Sequence, residues 1–209
     1  MKYLQAHPRL AIAVLVLLLA VGVARLGFPS QLSGAGKIDL GVKQAPEFTL
    51  LDQTGKSVRL GDLRGRAVAL TFAYTSCKEM CPIAISKFEE VYDRLDRSQR
   101  GKVALVAISV DPERDTVGRV REYLAGRRSQ DKLLYLTGDR PSLEAVWASY
   151  YLGVIKGPAG EGHGGSADDY VVTHKMLTYL LDPEGRERSL FVGDDFTASQ
   201  LLREVRSLL

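Results

Sequence analysis

The first informative pattern along the chain is a stretch without charge, Leu10 to Ala24 (LAIAVLVLLLAVGVA), bracketed by Arg9 and Arg25. It leaves no polar face for solvent, so it reads as a targeting segment rather than a core helix. At helical rise it extends about 22 Å, short for a span, although flanking arginines can snorkel and lengthen its reach. Gly22 and Ala24 also suit a small-x-small cleavage site. Of the two readings, an uncleaved anchor is favoured, with the basic start kept in the cytoplasm and everything after it exported. Residues 1–30 are thus the expected anchor, the Gly- and Ser-containing stretch 31–43 a tether, and 44–209 the folded domain.

Beyond the tether the pattern alternates between strand and helix. The apolar run between Arg66 and Thr75 (AVALTFAY) and the run Val103 to Val110 (VALVAISV) are of the kind buried on both faces in a parallel sheet. Between them Ile85, Phe88, Tyr92 and Leu95 recur at helical spacing, with Gly101 as a stop, which completes a βαβ unit. A second helix is predicted from about Thr116 (Val117, Val120, Leu124), a short strand at Leu133 to Leu136, and a third helix from near Pro141 (Leu143, Val146, Trp147, Tyr150). Lys156 to Asp169 has no periodicity and five glycines, and reads as a surface insertion. Met176 to Leu181, the turn Asp182-Pro-Glu-Gly185 and Glu187 to Val192 predict a hairpin. A last helix opens at Thr197 with Gln200 as its capping-box partner. The expected architecture is α/β, helices covering a mixed sheet.

Composition narrows the function classes. With 209 residues, 45% of them hydrophobic and 25% charged, the chain is neither disordered, collagenous nor a polytopic membrane protein. Lys and Arg number 28 against 25 acids, but Lys2, Arg9 and Arg25 lie in the first 30 residues, which hold no acid. The remainder is neutral, which removes any electrostatic reason to expect nucleic acid as partner.

The chain's 2 cysteines, Cys77 and Cys81, sit in Cys77-Lys-Glu-Met-Cys81-Pro82, between a buried strand and an amphipathic helix. That is the carboxyl edge of the sheet, where α/β folds carry their sites. Proline suits a first helical position and disfavours helix geometry before it, so the helix is expected to begin at Pro82 with both cysteines in the preceding loop. Its N-terminal dipole would then favour the Cys81 thiolate. Two inert buried thiols and a purely structural disulfide remain as bland alternatives; a loop closed over so few residues removes little chain entropy, so reactive or metal-binding use is preferred.

Several residues together resemble one family. Ala45-Pro-Glu-Phe-Thr-Leu-Leu-Asp-Gln-Thr-Gly55, followed by Leu60 to Gly65, resembles the opening of thioredoxin-like proteins in general. More specific are Thr75-Ser-Cys77-x-x-x-Cys81-Pro82, Asp111-Pro-Glu-Arg-Asp-Thr116, and a histidine shortly before a later strand. Thioredoxins separate their cysteines by two residues, and peroxiredoxins carry a threonine where this chain has Tyr74. In these features the chain resembles the Sco/SenC proteins from Ala45 to Leu209. The resemblance implies a thioredoxin-like fold and copper ligands at Cys77, Cys81 and His174, a donor set that suits Cu(I) through sulfur and tolerates Cu(II) through nitrogen. It further implies an exported chaperone of the bacterial inner membrane, its domain on the periplasmic side, delivering copper to the copper-bearing subunit of a cytochrome c oxidase. A thiol-disulfide oxidoreductase using Cys77 and Cys81 is the alternative. The other histidines are assigned elsewhere, His7 to the anchor and His163 to the solvated insertion. The family usually has an acid immediately before this histidine; Thr173 stands there, so a carboxylate partner for the imidazole is missing. Asp111 and Asp115 are read as turn and cap residues that could help orient the site, and Met80 and Met176 as soft sulfurs near the ligands whose role is packing.

Overall fold

A computed structural model of the chain describes residues 36–158 and 170–209. The expected anchor at 1–30 lies outside these residues, as do His7 and His163; among the described residues no helix is long and apolar enough to cross a membrane.

The architecture follows from two strands buried along their whole length. Strands β1 (Lys37–Gln44), β2 (Thr49–Leu51), β3 (Ser57–Arg59) and β4 (Ala67–Ala73) precede the first helix, α1 (Met80–Arg94). Then come α2 (Arg97–Arg100), β5 (Val103–Ser109), α3 (Val117–Arg127), β6 (Leu134–Leu136) and α4 (Arg140–Ser149). The chain closes with β7 (Val154–Pro158), β8 (Tyr170–His174), β9 (Leu177–Leu181), β10 (Arg186–Val192) and α5 (Ala198–Arg206). All seven residues of β4 and of β5 are buried. They pair in parallel from Ala67 opposite Val103 to Ala73 opposite Ser109, as their unbroken apolar runs predict. The six-stranded sheet runs β1-β10-β9-β4-β5-β6, parallel from β4 to β6 and antiparallel from β4 to β1. This is the expected mixed α/β sheet with flanking helices.

Helix α1 buries Ala84, Ile85, Phe88 and Val91 and packs against α5, which buries Leu201, Leu202 and Val205. Thr116 caps α3 and Asp139 caps α4, while Thr197 and Gln200 form the expected capping box on α5.

Three expectations are corrected. Residues 37–43 of the predicted tether form strand β1, paired antiparallel with β10. Only Leu40 is partly covered, so backbone bonding, not side-chain burial, makes the strand, and a hydropathy pattern cannot reveal it. Lys156 to Pro158, assigned to the glycine-rich insertion, complete β7, which pairs with β8 in a separate two-stranded sheet. Helix α1 begins at Met80 rather than Pro82. Proline two positions further in is tolerated because the first four N–H groups of a helix have no intrahelical partner.

Candidate metal centre

The shifted start of α1 reverses the roles expected of the two cysteines. Cys81 lies in the first turn and is 1% exposed, whereas Cys77 stays in the loop, half-buried, in front of the helix end. The Cys81 backbone N–H, one of the unpaired donors of that turn, points at Cys77 Sγ at 3.4 Å. The positive end of the helix therefore faces Cys77. Its thiol is lowered to about 5, chiefly because the Cys81 thiol donates to it, with the backbone N–H groups of Cys81 and Glu79 and the Tyr74 hydroxyl adding to the effect against burial. Cys81 is pushed up, by holding its proton on Cys77 and by burial. The expected Cys81 thiolate is thus replaced by a Cys77 thiolate and a buried Cys81 thiol. Both thiols are free.

Two aspartates of the Asp111 to Thr116 segment organise the surroundings beyond the turn-and-cap reading. Asp115 is fully buried and accepts from the Thr75 N–H at 3.0 Å, the Thr75 hydroxyl at 2.6 Å and the Ser109 hydroxyl at 2.7 Å, tying the cysteine loop to the end of β5. Asp111, also buried, receives the Tyr170 hydroxyl and Arg114 Nε. The cap of α3 is Thr116.

His174 ends β8. Its Nδ1 meets the Lys175 carbonyl at 2.9 Å. A carbonyl only accepts, so this bond places the hydrogen on Nδ1 and leaves the Nε2 lone pair free. Burial holds the imidazole below its usual range, in the neutral form a metal requires. A backbone carbonyl thus orients the ring, the role in which Thr173 offers no carboxylate; Thr173 itself is exposed.

Cys77, Cys81 and His174 line one cleft of about 520 Å³, together with Tyr74, Arg114 and Tyr170. Met80 and Met176 also reach its wall, near the ligands as expected. The Tyr74 and His174 rings meet edge to face, centroids 6.4 Å apart. Among the described residues no three His, Cys, Asp or Glu side chains are close enough to hold a metal ion as they stand. The sulfurs form a ready pair; the imidazole shares their cleft without closing on them. Sequence reasoning missed Tyr74, Arg114 and Tyr170. Arg114 carries a signal, since it lies within the Asp111 to Thr116 motif, while Tyr170 borders an aperiodic stretch and carries none.

Comparison with known proteins decides the family. The SCO1/SenC profile matches residues 39–209, the whole of the described domain apart from its first residues. The chain belongs to the SCO1/SenC family. The mitochondrial SCO2 homolog of Bos taurus is 36% identical over 141 residues, covering 66% of this chain and 50% of that protein. This SCO1/SenC chain spans 45%, 50% and 60% of the lengths of its Arabidopsis thaliana, Bos taurus and Mus musculus mitochondrial relatives. Among solved structures, Bradyrhizobium japonicum ScoI with copper bound is 32% identical, with a TM-score of 0.68 over 79% of this chain and 99% of that one. BsSco, described with a disulfide switch and as a member of the Sco family of cytochrome c oxidase assembly proteins, is 25% identical with a TM-score of 0.63, over 82% and 95%. These likenesses give the SCO1/SenC domain its thioredoxin-like fold.

Proposed function

We propose that the chain is a copper chaperone that binds the ion through Cys77, Cys81 and His174 and delivers it to the binuclear copper site of a cytochrome c oxidase. The observation that carries this reading is the convergence on one cleft of the cysteine pair and His174, which lies 93 positions beyond Cys81. Two sulfurs and a neutral imidazole are a soft donor set, matched to copper rather than to magnesium or calcium. The copper-bound ScoI relative supports the same cargo.

The chain's own groups have distinct parts in loading. Cys77, whose thiol is lowered to about 5, offers the first bond; the Cys81 proton must leave before the second sulfur can bind, so uptake releases a proton. The Nε2 lone pair completes the set when β8 brings it inward. Exposed Lys78 and Glu79 lie at the cleft wall, where a client would approach. The chain is read as anchored by residues 1–30 in the bacterial inner membrane, with this domain on the periplasmic side.

The test is copper titration of the reduced protein. One ion per chain, with charge-transfer absorption from sulfur, supports the reading; no uptake sinks it. The second reading, reduction of client cysteines, is favoured by the asymmetry of the pair: a half-buried, acidified Cys77 facing the cleft and a buried Cys81 thiol positioned to resolve a mixed disulfide. In that reaction the dithiol gives two electrons and two protons to the client disulfide. Turnover of a disulfide substrate by copper-free protein checks it.

A further inference from the structure

His174 lies on an arm that pairs outside the main sheet and joins it three residues later, at Leu177 of β9. Among the described residues, β7 and β8 pair only with each other, from Val154 opposite His174 to Pro158 opposite Tyr170. Two cavities meet this arm at Val172: the cysteine cleft, and a second of about 320 Å³ that Asp111, Trp147, Val154 and Lys156 help to line. Val172, at 5% exposure, is the arm's one buried apolar side chain, while Ile155 and Val171 are 67% and 42% exposed. Side-chain burial alone therefore constrains the arm weakly.

Besides its junction with β9 and a bond between the Val172 backbone and the Tyr74 hydroxyl, the arm is attached at its far end through Tyr170, the first residue of β8. The Tyr170 hydroxyl donates to Asp111 Oδ1, and its carbonyl accepts from Arg114 Nη1 at 3.0 Å. Its ring lies against two cations, Lys156 Nζ at 3.5 Å and the Arg114 guanidinium at 3.7 Å from the centroid. Arg114 Nε also bonds Asp111, so a buried carboxylate on the β5 side, the Arg114 guanidinium and the arm form one network. A buried carboxylate is costly to leave unpaired, which makes Asp111 a strong and directional acceptor.

We propose that Tyr170 is a positioning residue for His174: its hydroxyl bond to Asp111 sets the register of β8 against the domain, and so decides whether the imidazole faces the sulfurs. Side chains alternate along a strand, so Tyr170, Val172 and His174 share one face, and a slip of one residue would turn His174 outward. The attachment lies four residues from the ligand, a span of about 13 Å in extended backbone, and an extended pair of strands transmits that register without bending freely. The inference rests on His174 being the third ligand.

The experiment compares wild type, Tyr170→Phe and His174→Ala as full chains in detergent. Tyr170→Phe removes one oxygen and keeps the ring. In copper-free protein, amide hydrogen exchange at residues 171–174 should quicken about tenfold, the scale of one charge-assisted hydrogen bond. Cys77 alkylation should stay within about twofold, because its thiolate is set by α1 and Cys81. With Cu(II), the nitrogen hyperfine coupling in the electron paramagnetic resonance spectrum should weaken and the dissociation constant rise about tenfold, while Cu(I) binding changes less. Unchanged exchange and unchanged nitrogen coupling in Tyr170→Phe would overturn the positioning role. So would an equal loss of Cys77 reactivity, which would mark general loosening. If instead wild type and His174→Ala give the same copper spectrum, the ligand assignment fails, and the exchange rates alone decide whether Tyr170 holds the arm.

Discussion

Asp115 holds Thr75 at two points, its Oδ1 accepting the backbone N–H at 3.0 Å and the hydroxyl at 2.6 Å. Thr75 lies two residues before Cys77, so this carboxylate fixes where β4 ends and the cysteine loop begins. The Ser109 hydroxyl bonds the other oxygen, which gives the loop the rigidity of β5. Burial pushes the Asp115 carboxyl up against these hydrogen bonds.

Asp115→Ala should therefore destabilise the domain by about 3 kcal/mol, since it strands several buried donors at once. Asp115→Asn keeps an acceptor for Thr75 and can donate to Ser109, and should cost well under half as much. Urea denaturation of both variants measures the difference; equal losses would show that the side chain only fills space.

Cys77, not Cys81, should be the nucleophile at every pH above its lowered range. Its alkylation by iodoacetamide should rise as pH passes about 5 and level off well below neutrality, because the thiolate fraction is then complete. Cys81→Ala removes the thiol that donates to the Cys77 sulfur, the largest cause of the depression, so the inflection should move upward. Mass spectrometry of the alkylated peptides separates the two sites. Preferential labelling of Cys81 in wild type would overturn the assignment.

The two cysteines also mark the boundary between what sequence reasoning can and cannot reach. Their chemistry was legible in their spacing and in the flanking strand and helix, but their roles were not. A shift of two residues in the start of α1, from Pro82 to Met80, carries Cys81 into the core and leaves Cys77 in front of the helix end. Local preference before proline favours the other boundary, and burial of the Cys81 side chain accompanies the earlier start. Strands β4 and β5 were legible because burial on both faces writes itself as an unbroken apolar run. Strand β1 was not, because an exposed edge is held by its backbone. His174 drew its assignment from family resemblance; no pattern in the chain links residue 174 to residue 77, and only the arm formed by β7 and β8 does so.

Oxidation should abolish copper uptake. Cys77 and Cys81 are the only thiols in the chain, so a Cys77–Cys81 disulfide leaves the cleft one imidazole and the thioethers of Met80 and Met176. Thioethers are weak neutral donors and cannot replace two thiolates. Copper titration of matched reduced and oxidised samples checks this, and equal uptake by both would contradict it. Redox state is then the gate on loading.

His174 separates the chaperone from the reductase. Copper binding uses its Nε2 as a third donor, whereas dithiol exchange needs only the Cys77 thiolate and the Cys81 thiol that resolves it. His174→Ala should weaken Cu(II) binding by at least about tenfold and Cu(I) binding less, because Cu(I) is content with two sulfurs. Exchange should change little, since the causes that depress Cys77 are Cys81, two backbone N–H groups and Tyr74, not the imidazole. Paired measurements of copper affinity and exchange rate on wild type and variant decide the matter. If both copper affinities stand while exchange collapses, His174 moves a proton during thiol chemistry, and the reductase reading displaces the chaperone.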